Sequence, residues 1–116
     1  MRNTKQKGIL RFFTYFDKTE NEFVGACIEL GIIKTNSDPY VLEQDLKAAA
    51  LGYLDLICED KDFSENLLNQ TLPKQYMDKY DELIAIYTNK ATSPENVNDM
   101  RVFAIDIPNR EACLTI

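Results

Sequence analysis

Hydrophobic and polar residues near the start of the chain form short segments that are typical of strands. Residues 8–16 are rich in β-branched and aromatic residues and are mostly apolar on both alternating faces, which predicts a strand covered on both sides. Residues 23–30 predict a second strand, in which Gly25 marks a bulge or a close backbone approach. Residues 32–36 predict a third strand. The polar residues 17–22 predict a turn between the first two strands, so we expect antiparallel pairing.

The pattern then changes to the three- and four-residue spacing of an amphipathic helix. Ser37, Asp38 and Pro39 form a helix-start signal, because Ser or Asp caps the first turn and Pro tolerates it. We therefore predict a helix over residues 38–59 whose apolar face lies on the sheet. That face consists of Leu42, Leu46, Ala49, Tyr53 and Ile57, with Ala50 and Leu54 beside them.

The second half of the chain is less regular. Residues 64–72 predict a short helix and residues 74–89 a longer one, before a loop and a late strand over 102–107. The late strand either closes the same sheet or pairs with another copy. Repeats and linkers are absent, so we predict one α+β domain over residues 1–116. Its small antiparallel sheet follows the order β-β-β-α, then an extra helix and the late strand. The stripe of the second long helix is Tyr76, Tyr80, Leu83, Ile84 and Tyr87.

The residue types present exclude several kinds of catalytic site. The chain contains no histidine, which removes imidazole-dependent triads and most catalytic zinc sites, and it has no glycine-rich nucleotide loop. Asp60, Asp62 and Ser64 have the spacing of a calcium loop, but Glu65 and Thr71 replace the required Gly and Glu. The first strand has no acid to hold the metals of a nuclease. We predict no catalytic activity, no cofactor and no metal site.

The three cysteines, Cys27, Cys58 and Cys113, have neither zinc-site spacing nor the pattern of a disulfide framework. Their apolar neighbours favour buried, reduced thiols, as in the cytoplasm. The basic N-terminus precedes an apolar run, but Arg11 interrupts that run and no cleavage site follows. No segment has the length of a membrane span. The sequence therefore predicts a cytoplasmic protein that does not enter a membrane.

Charge is distributed unevenly along the chain. The net charge is -6, yet residues 1–11 hold four bases and no acid. The remainder of the chain therefore holds nine bases and 19 acids. An acidic body favours a basic protein partner over duplex DNA. The basic N-terminal arm either is a solvated end or contacts nucleic acid or a membrane. The acids either keep the chain soluble or bind the partner. The candidate partner-binding residues are Asp17, Glu20 and Glu22 in the first turn, with Glu59, Asp60 and Asp62 after the helix.

One stretch of the chain resembles a known family. Residues 27–31 (CIELG), 36–39 (NSDP) and 41–54 (VLEQDLKAAALGYL) are similar to the strand, turn and helix of the HicB-like antitoxin family. With the first strand included, the resemblance covers residues 8 to about 58. It implies a small sheet-plus-helix fold, similar to part of the ribonuclease H fold without its catalytic acids.

The resemblance also implies a function. It implies a non-catalytic module that masks a small basic ribonuclease toxin, which agrees with the acidic body. No helix-turn-helix or ribbon-helix-helix pattern follows residue 107, so no separate DNA-binding module is recognised. The alternative is a stand-alone homo-oligomeric domain of the same fold with an unknown ligand or regulatory role. We expect self-association through a sheet edge or the helix 74–89.

Overall fold

Four strands and two helices account for most of the residues that the structure describes. The computed structural model describes residues 2–4, 7–59, 65–88 and 100–107. An α+β fold with one antiparallel sheet is therefore confirmed. In chain order, the elements are β1 (Ile9–Asp17), β2 (Glu22–Cys27), β3 (Ile32–Asn36), α1 (Pro39–Glu59), a 3₁₀ turn (Glu65–Leu68), α2 (Lys74–Thr88) and β4 (Met100–Asp106).

The sheet has the strand order β3-β2-β1-β4, and all neighbouring strands are antiparallel. The late strand β4 pairs with β1 along its whole length, from Ile9 opposite Asp106 to Tyr15 opposite Met100. Of the two interpretations of the late strand, closure of its own sheet is thus the one observed. β1 is consequently a central strand, which explains why both of its faces are apolar.

Two connections at opposite ends of the sheet need the left-handed backbone region. In the β1–β2 hairpin, Asn21 adopts a φ of 54°, a conformation that Asn tolerates better than most residues. The carboxylate of Asp17 accepts hydrogen bonds from the backbone N–H groups of Thr19 and Glu20, which fixes the turn. At the other end, Gly31 has a φ of 66° between β2 and β3.

Helix α1 covers one face of the sheet, mainly across β2 and β3. The carboxylate of Asp38 caps the helix by accepting hydrogen bonds from the backbone N–H groups of Tyr40 and Val41. A Cβ added to Gly25 would lie 2.5 Å from Cδ1 of Leu46, so the close neighbour of this glycine is a side chain of α1 and not the predicted bulge or backbone. The buried side chains of α1 are Leu42, Glu43, Leu46, Ala50, Leu54, Ile57 and Cys58.

The predicted apolar face of α1 is thus correct in its centre and displaced at its edge. Ala49 and Tyr53 are half-buried, while their neighbours Ala50 and Leu54 are buried. The side of the helix that carries Ala50 and Leu54 therefore packs on the sheet.

Helix α2 covers the opposite face and gives the molecule three layers. Leu83 is its buried residue, and it packs with Phe13, Ala26, Ile28, Leu72 and Met100. The predicted stripe is wrong at Ile84 and Tyr87, whose side chains are exposed; Met77 and Ile86 contact the core instead. The short helix predicted over 64–72 is observed as a 3₁₀ helix, and it is confined to Glu65–Leu68.

The N-terminal arm is fixed to the body, so its interpretation as a solvated end is wrong at Asn3. That side chain is 3% exposed. Its amide donates to the carbonyl oxygens of Ile9 and Leu68, each at 3.0 Å, and its Oδ1 accepts from the Ile9 N–H. Asn69 pairs with the backbone N–H and C=O of Asn3. The arm therefore connects the start of β1 to the 3₁₀ turn.

Candidate functional site

The acids predicted in the first turn lie together at the hairpin end of the sheet. Asp17 and Glu22 are directly opposite each other at the last paired position of β1 and β2. Opposite residues in antiparallel strands share a face, with Cβ atoms about 5 Å apart. Glu20 is exposed in the turn that joins them. Three carboxylates are therefore concentrated at this end of the molecule.

The acids predicted after the helix lie elsewhere. Chain direction places the start of α1 at the hairpin end, because Asn36 at the end of β3 pairs with Phe23. The helix then runs back along the sheet. This direction is seen at Gln70, whose side-chain amide donates both to the Tyr53 hydroxyl of α1 and to the carbonyl oxygen of Leu30, which follows the far end of β2. Exposed Glu59 therefore lies at the far end, about 27 Å from the hairpin if each strand residue advances about 3.4 Å.

The six predicted partner-binding residues therefore do not form one patch. Asp17, Glu20 and Glu22 are brought together, and Glu59 is separated from them by the length of the sheet. Asp60 and Asp62, with the candidate calcium-loop residue Ser64, lie outside the described residues. The hairpin group is the candidate functional site that the structure assembles from the predicted acids.

A cleft of about 370 Å³ opens beside these acids on the α2 face. Its floor is apolar and aromatic, with Tyr15, Leu83 and Met100 among its residues, and its rim is charged. The charged rim contains both signs: Asp17 and Lys18 come from the end of β1, and Lys79 and Glu82 come from α2. Such a combination of apolar floor and polar rim can hold an amphipathic side chain or a small ligand. The complete lining is Tyr15, Phe16, Asp17, Lys18, Lys79, Glu82, Leu83, Ile86 and Met100.

The electrostatics of the cleft centre on Tyr15. The Lys79 ammonium lies 5.0 Å from the centre of the Tyr15 ring and 3.5 Å from the Glu82 carboxylate. Burial raises the pKa of Tyr15 above its ordinary value, and Tyr76 and Asp17 raise it further. The phenol therefore stays protonated at neutral pH and provides a hydrogen-bond donor instead of a base.

A second cleft, of about 450 Å³, contains an ion pair between the exposed Arg11 and the buried Glu29 that the sequence pattern did not indicate. The Glu29 carboxylate accepts from the Arg11 backbone N–H at 2.6 Å and from the Arg11 Nε at 2.5 Å. Burial lowers the pKa of Arg11, but Glu29 outweighs it and holds that pKa above its ordinary value. Asn3, Asn69 and Gln70 line the same cleft and bond to backbone groups. This cluster connects the N-terminal arm and β1 to the residues that follow β2 and the 3₁₀ helix.

A third polar cluster joins α1 to β4. The Glu43 carboxylate is buried, and Arg101 donates to its Oε2 at 3.0 Å while the Lys47 ammonium lies 3.5 Å from its Oε1. Both cations also lie over the Phe103 ring, which stacks on Phe12. The pairing compensates for burial of the Glu43 charge. Phe12 and Phe13 are fully buried core residues, so the stretch from Arg11 to Phe13 offers no aromatic platform for nucleotides.

The cysteines correct one expectation and support another. Cys27 is buried and free, and burial raises its pKa to about 12, so its thiol is not a nucleophile at neutral pH. Cys58, however, is disulfide-bonded, and the expectation of a reduced thiol is wrong there. Cys113 lies outside the described residues.

Neither a metal-binding cluster nor a membrane helix is found in the part of the chain that the structure describes. No three Cys, Asp or Glu side chains there are grouped so that they could hold a metal ion. Within the same residues, no helix combines the length and the apolar character that crossing a bilayer requires.

Comparisons with known proteins give no relative for this chain. No family model matches it, and neither the curated proteins nor the solved structures contain a match.

Proposed function

We propose that this protein is a non-catalytic protein-binding module that resembles a HicB-type antitoxin and masks a small basic ribonuclease toxin. The proposal is supported by the resemblance of residues 8 to about 58, and by the β-β-β-α order of those residues in the sheet. The net charge of -6 agrees with a basic partner, because opposite charges accelerate association and disfavour wrong partners.

The observation that carries the proposal is the position of Asp17 directly opposite Glu22. Like charges at directly opposite positions destabilise a strand pair. The Asp17 carboxylate bonds the turn N–H groups of Thr19 and Glu20, but this role does not require a second acid at position 22. A cationic side chain of a partner, placed between the two carboxylates, would remove the repulsion and bind both. Glu20 in the adjoining turn adds to the same negative surface.

Isolation of the native complex tests this function. The tagged full chain is purified from its own cells, and any basic protein that co-purifies is identified, produced and titrated at low and high salt. We expect association to slow with salt and with the double substitution D17N/E22Q, because exposed charges act mainly on the association rate. D106N is the matched control, since Asp106 lies at the opposite end of the sheet, beside Ile9.

Two outcomes would contradict the proposal. One is that only nucleic acid co-purifies with the native chain. The other is that a recovered basic protein binds D17N/E22Q and the original chain at equal rates at both salt concentrations.

A second function, a stand-alone homo-oligomeric domain with a small ligand, is favoured by the cleft of about 370 Å³. Its apolar floor and charged rim have the composition of small-molecule sites. In this case self-association would proceed through an edge strand, β3 or β4, or through α2. Light scattering at micromolar concentration decides between the functions, because a strictly monomeric chain would exclude the homo-oligomeric domain.

We further propose a cytoplasmic location, with Cys58 as its test. Disulfides are rare in the cytoplasm, so the Cys58 disulfide of the structure opposes this location, and the proposal requires that Cys58 be a thiol in the living cell. Rapid alkylation of intact cells followed by peptide mass measurement reports its state. An oxidised Cys58 in the cell, together with the disulfide of the structure, would place the protein in an oxidising compartment.

A further inference from the structure

The cleft of about 370 Å³ and the hairpin acids lie on the same face of the sheet. Tyr15 and Asp17 are two residues apart at the end of β1 and both line the cleft, so their side chains point to the side that α2 covers. Glu22 lies directly opposite Asp17, and opposite residues share a face. The carboxylates of Asp17 and Glu22 therefore stand side by side at the edge of the apolar floor.

The α2 side of this cleft already holds a cation of the protein itself. The Lys79 ammonium lies 3.5 Å from the Glu82 carboxylate and 5.0 Å from the centre of the Tyr15 ring. The Lys79 side chain is only 32% exposed, so most of its stem is covered. Lys79 thus shows how the cleft accommodates a cation: the aliphatic stem is shielded from water, and the charge lies near an acid and an aromatic ring.

The acids on the β1 side have no such cation. Among the residues that the structure describes, neither Asp17 nor Glu22 forms an ion pair. Asp17 accepts both of its turn hydrogen bonds at Oδ1, so its Oδ2 can accept from a ligand. Acids outnumber bases here, which favours a cationic occupant. The charged residues around the cleft and the hairpin are Asp17, Glu20, Glu22 and Glu82, with Lys18 and Lys79.

We propose that the cleft and the two hairpin acids together bind an arginine side chain of the basic partner, with its aliphatic stem on the floor of the cleft and its guanidinium between Asp17 and Glu22. A guanidinium suits this position better than an ammonium, because its planar fork of N–H groups can donate to two carboxylates at once. The apolar floor covers the methylene stem, as it covers the stem of Lys79. This inference rests on the proposed function for the partner and adds the residue type by which that partner is recognised.

A minimal probe tests the cleft directly. N-acetyl-arginine amide is titrated into the full chain labelled with ¹⁵N, and two-dimensional NMR measures the dissociation constant and identifies the residues that respond. We expect the backbone signals of Tyr15, Asp17 and Leu83 to shift. Methylguanidinium, which has the same charge without the stem, should bind about tenfold more weakly, because each buried methylene adds affinity. N-acetyl-lysine amide should also bind more weakly, since an ammonium lacks the planar fork.

Substitution of the acids shows whether they hold the guanidinium. D17N/E22Q should weaken binding of the arginine probe about tenfold, because both charged acceptors are lost. Asparagine keeps a side-chain oxygen for the turn hydrogen bonds, and the like-charge pair disappears, so this variant should melt no lower than the original chain. D106N is the matched control and should bind like the original chain, since Asp106 lies at the opposite end of the sheet.

Three results would overturn the proposal. The first is equal binding of N-acetyl-arginine amide and methylguanidinium, because the apolar floor would then contribute nothing. The second is equal binding of the arginine probe by D17N/E22Q and D106N. The third is a set of shifts confined to the turn around Glu20, because the probe would then lie outside the cleft.

Failure of this inference can be distinguished from failure of the proposed function. A native basic protein whose association responds to D17N/E22Q, with no shift of Tyr15 or Leu83 by the arginine probe, would leave the proposed function standing and refute the cleft. Binding of the arginine probe when no basic protein is recovered from the cells would refute the proposed function, and with it the partner as the source of the arginine.

Discussion

Substitution of Gly25 by alanine should destabilise the protein, because α1 lies directly on this glycine. The added Cβ would lie 2.5 Å from Cδ1 of Leu46 and 3.1 Å from Cδ2 of Leu42, whereas carbon atoms pack best at about 3.5–4.0 Å. Both leucines are fully buried, so neither can move into solvent. Forcing an extra methyl group into such a core costs about 1–3 kcal/mol.

A double-mutant cycle shows whether the contact with Leu46 is the cause. L46A alone should cost about 2–5 kcal/mol, since it leaves a cavity in the core. In G25A/L46A the new methyl group occupies part of that cavity, so the combined loss should be smaller than the sum by about 1 kcal/mol or more. Urea unfolding, followed by far-UV circular dichroism and tyrosine fluorescence, measures all four free energies of unfolding.

Gly52 provides the matched control for this experiment. It belongs to the same helix that covers Gly25, but a Cβ at position 52 would meet no atom within 4 Å. G52A should therefore stabilise the protein by up to about 1 kcal/mol. If G25A were as harmless as G52A, or if the losses of G25A and L46A were simply additive, the packing of α1 on β2 described above would be wrong.

Two further substitutions test the buried polar groups and the free thiol. E29Q should lower the free energy of unfolding by about 1–3 kcal/mol, because Arg11 then loses the charged acceptor of two hydrogen bonds; equal urea midpoints would contradict this. The raised pKa of Cys27 means that the unfolded thiol ionises first, so stability should fall as pH rises from about 9 toward 12. C27A should show a smaller loss of stability between pH 8 and pH 10, and parallel curves would refute the assignment.

The elements that follow from local pattern were predictable from the sequence. The strands β1, β2 and β3 and the helix α1 form within a residue or a few of their predicted ends, because alternation and helical spacing are local signals. Gly25 was identified as a special position, but the sequence did not show that the side chains of Leu46 and Leu42 would occupy the space beside it.

Long-range pairing left no such signal. The sequence could not place β4 beside β1, because pairing between strands distant in the chain produces no periodicity. It also gave no indication that Asn3 would be buried or that Glu43 would meet Arg101, which are 58 residues apart. The stripe of α2 failed at Ile84 and Tyr87 because several apolar positions compete for one narrow contact with the sheet.

The candidate site was predictable only in part. The polar turn identified Asp17, Glu20 and Glu22 as a group, because a charged break between strands is a local feature. Whether Asp17 faces Glu22 depends on the register, which a shift of one residue would change. The separation of Glu59 from the hairpin depends on the direction of α1, which the helical pattern alone does not give.

One feature of this chain breaks a local rule on its surface, at the end of the hairpin. Asp17 bonds the turn N–H groups of Thr19 and Glu20, but Glu22 directly opposite it places a like charge there and costs stability. Other exceptions have an internal reason: Gly31 and Asn21 take a positive φ in turns. Natural chains break local rules mainly where function requires it. The hairpin acids attract cations, so a basic partner that binds between them accounts for the cost of placing Glu22 opposite Asp17.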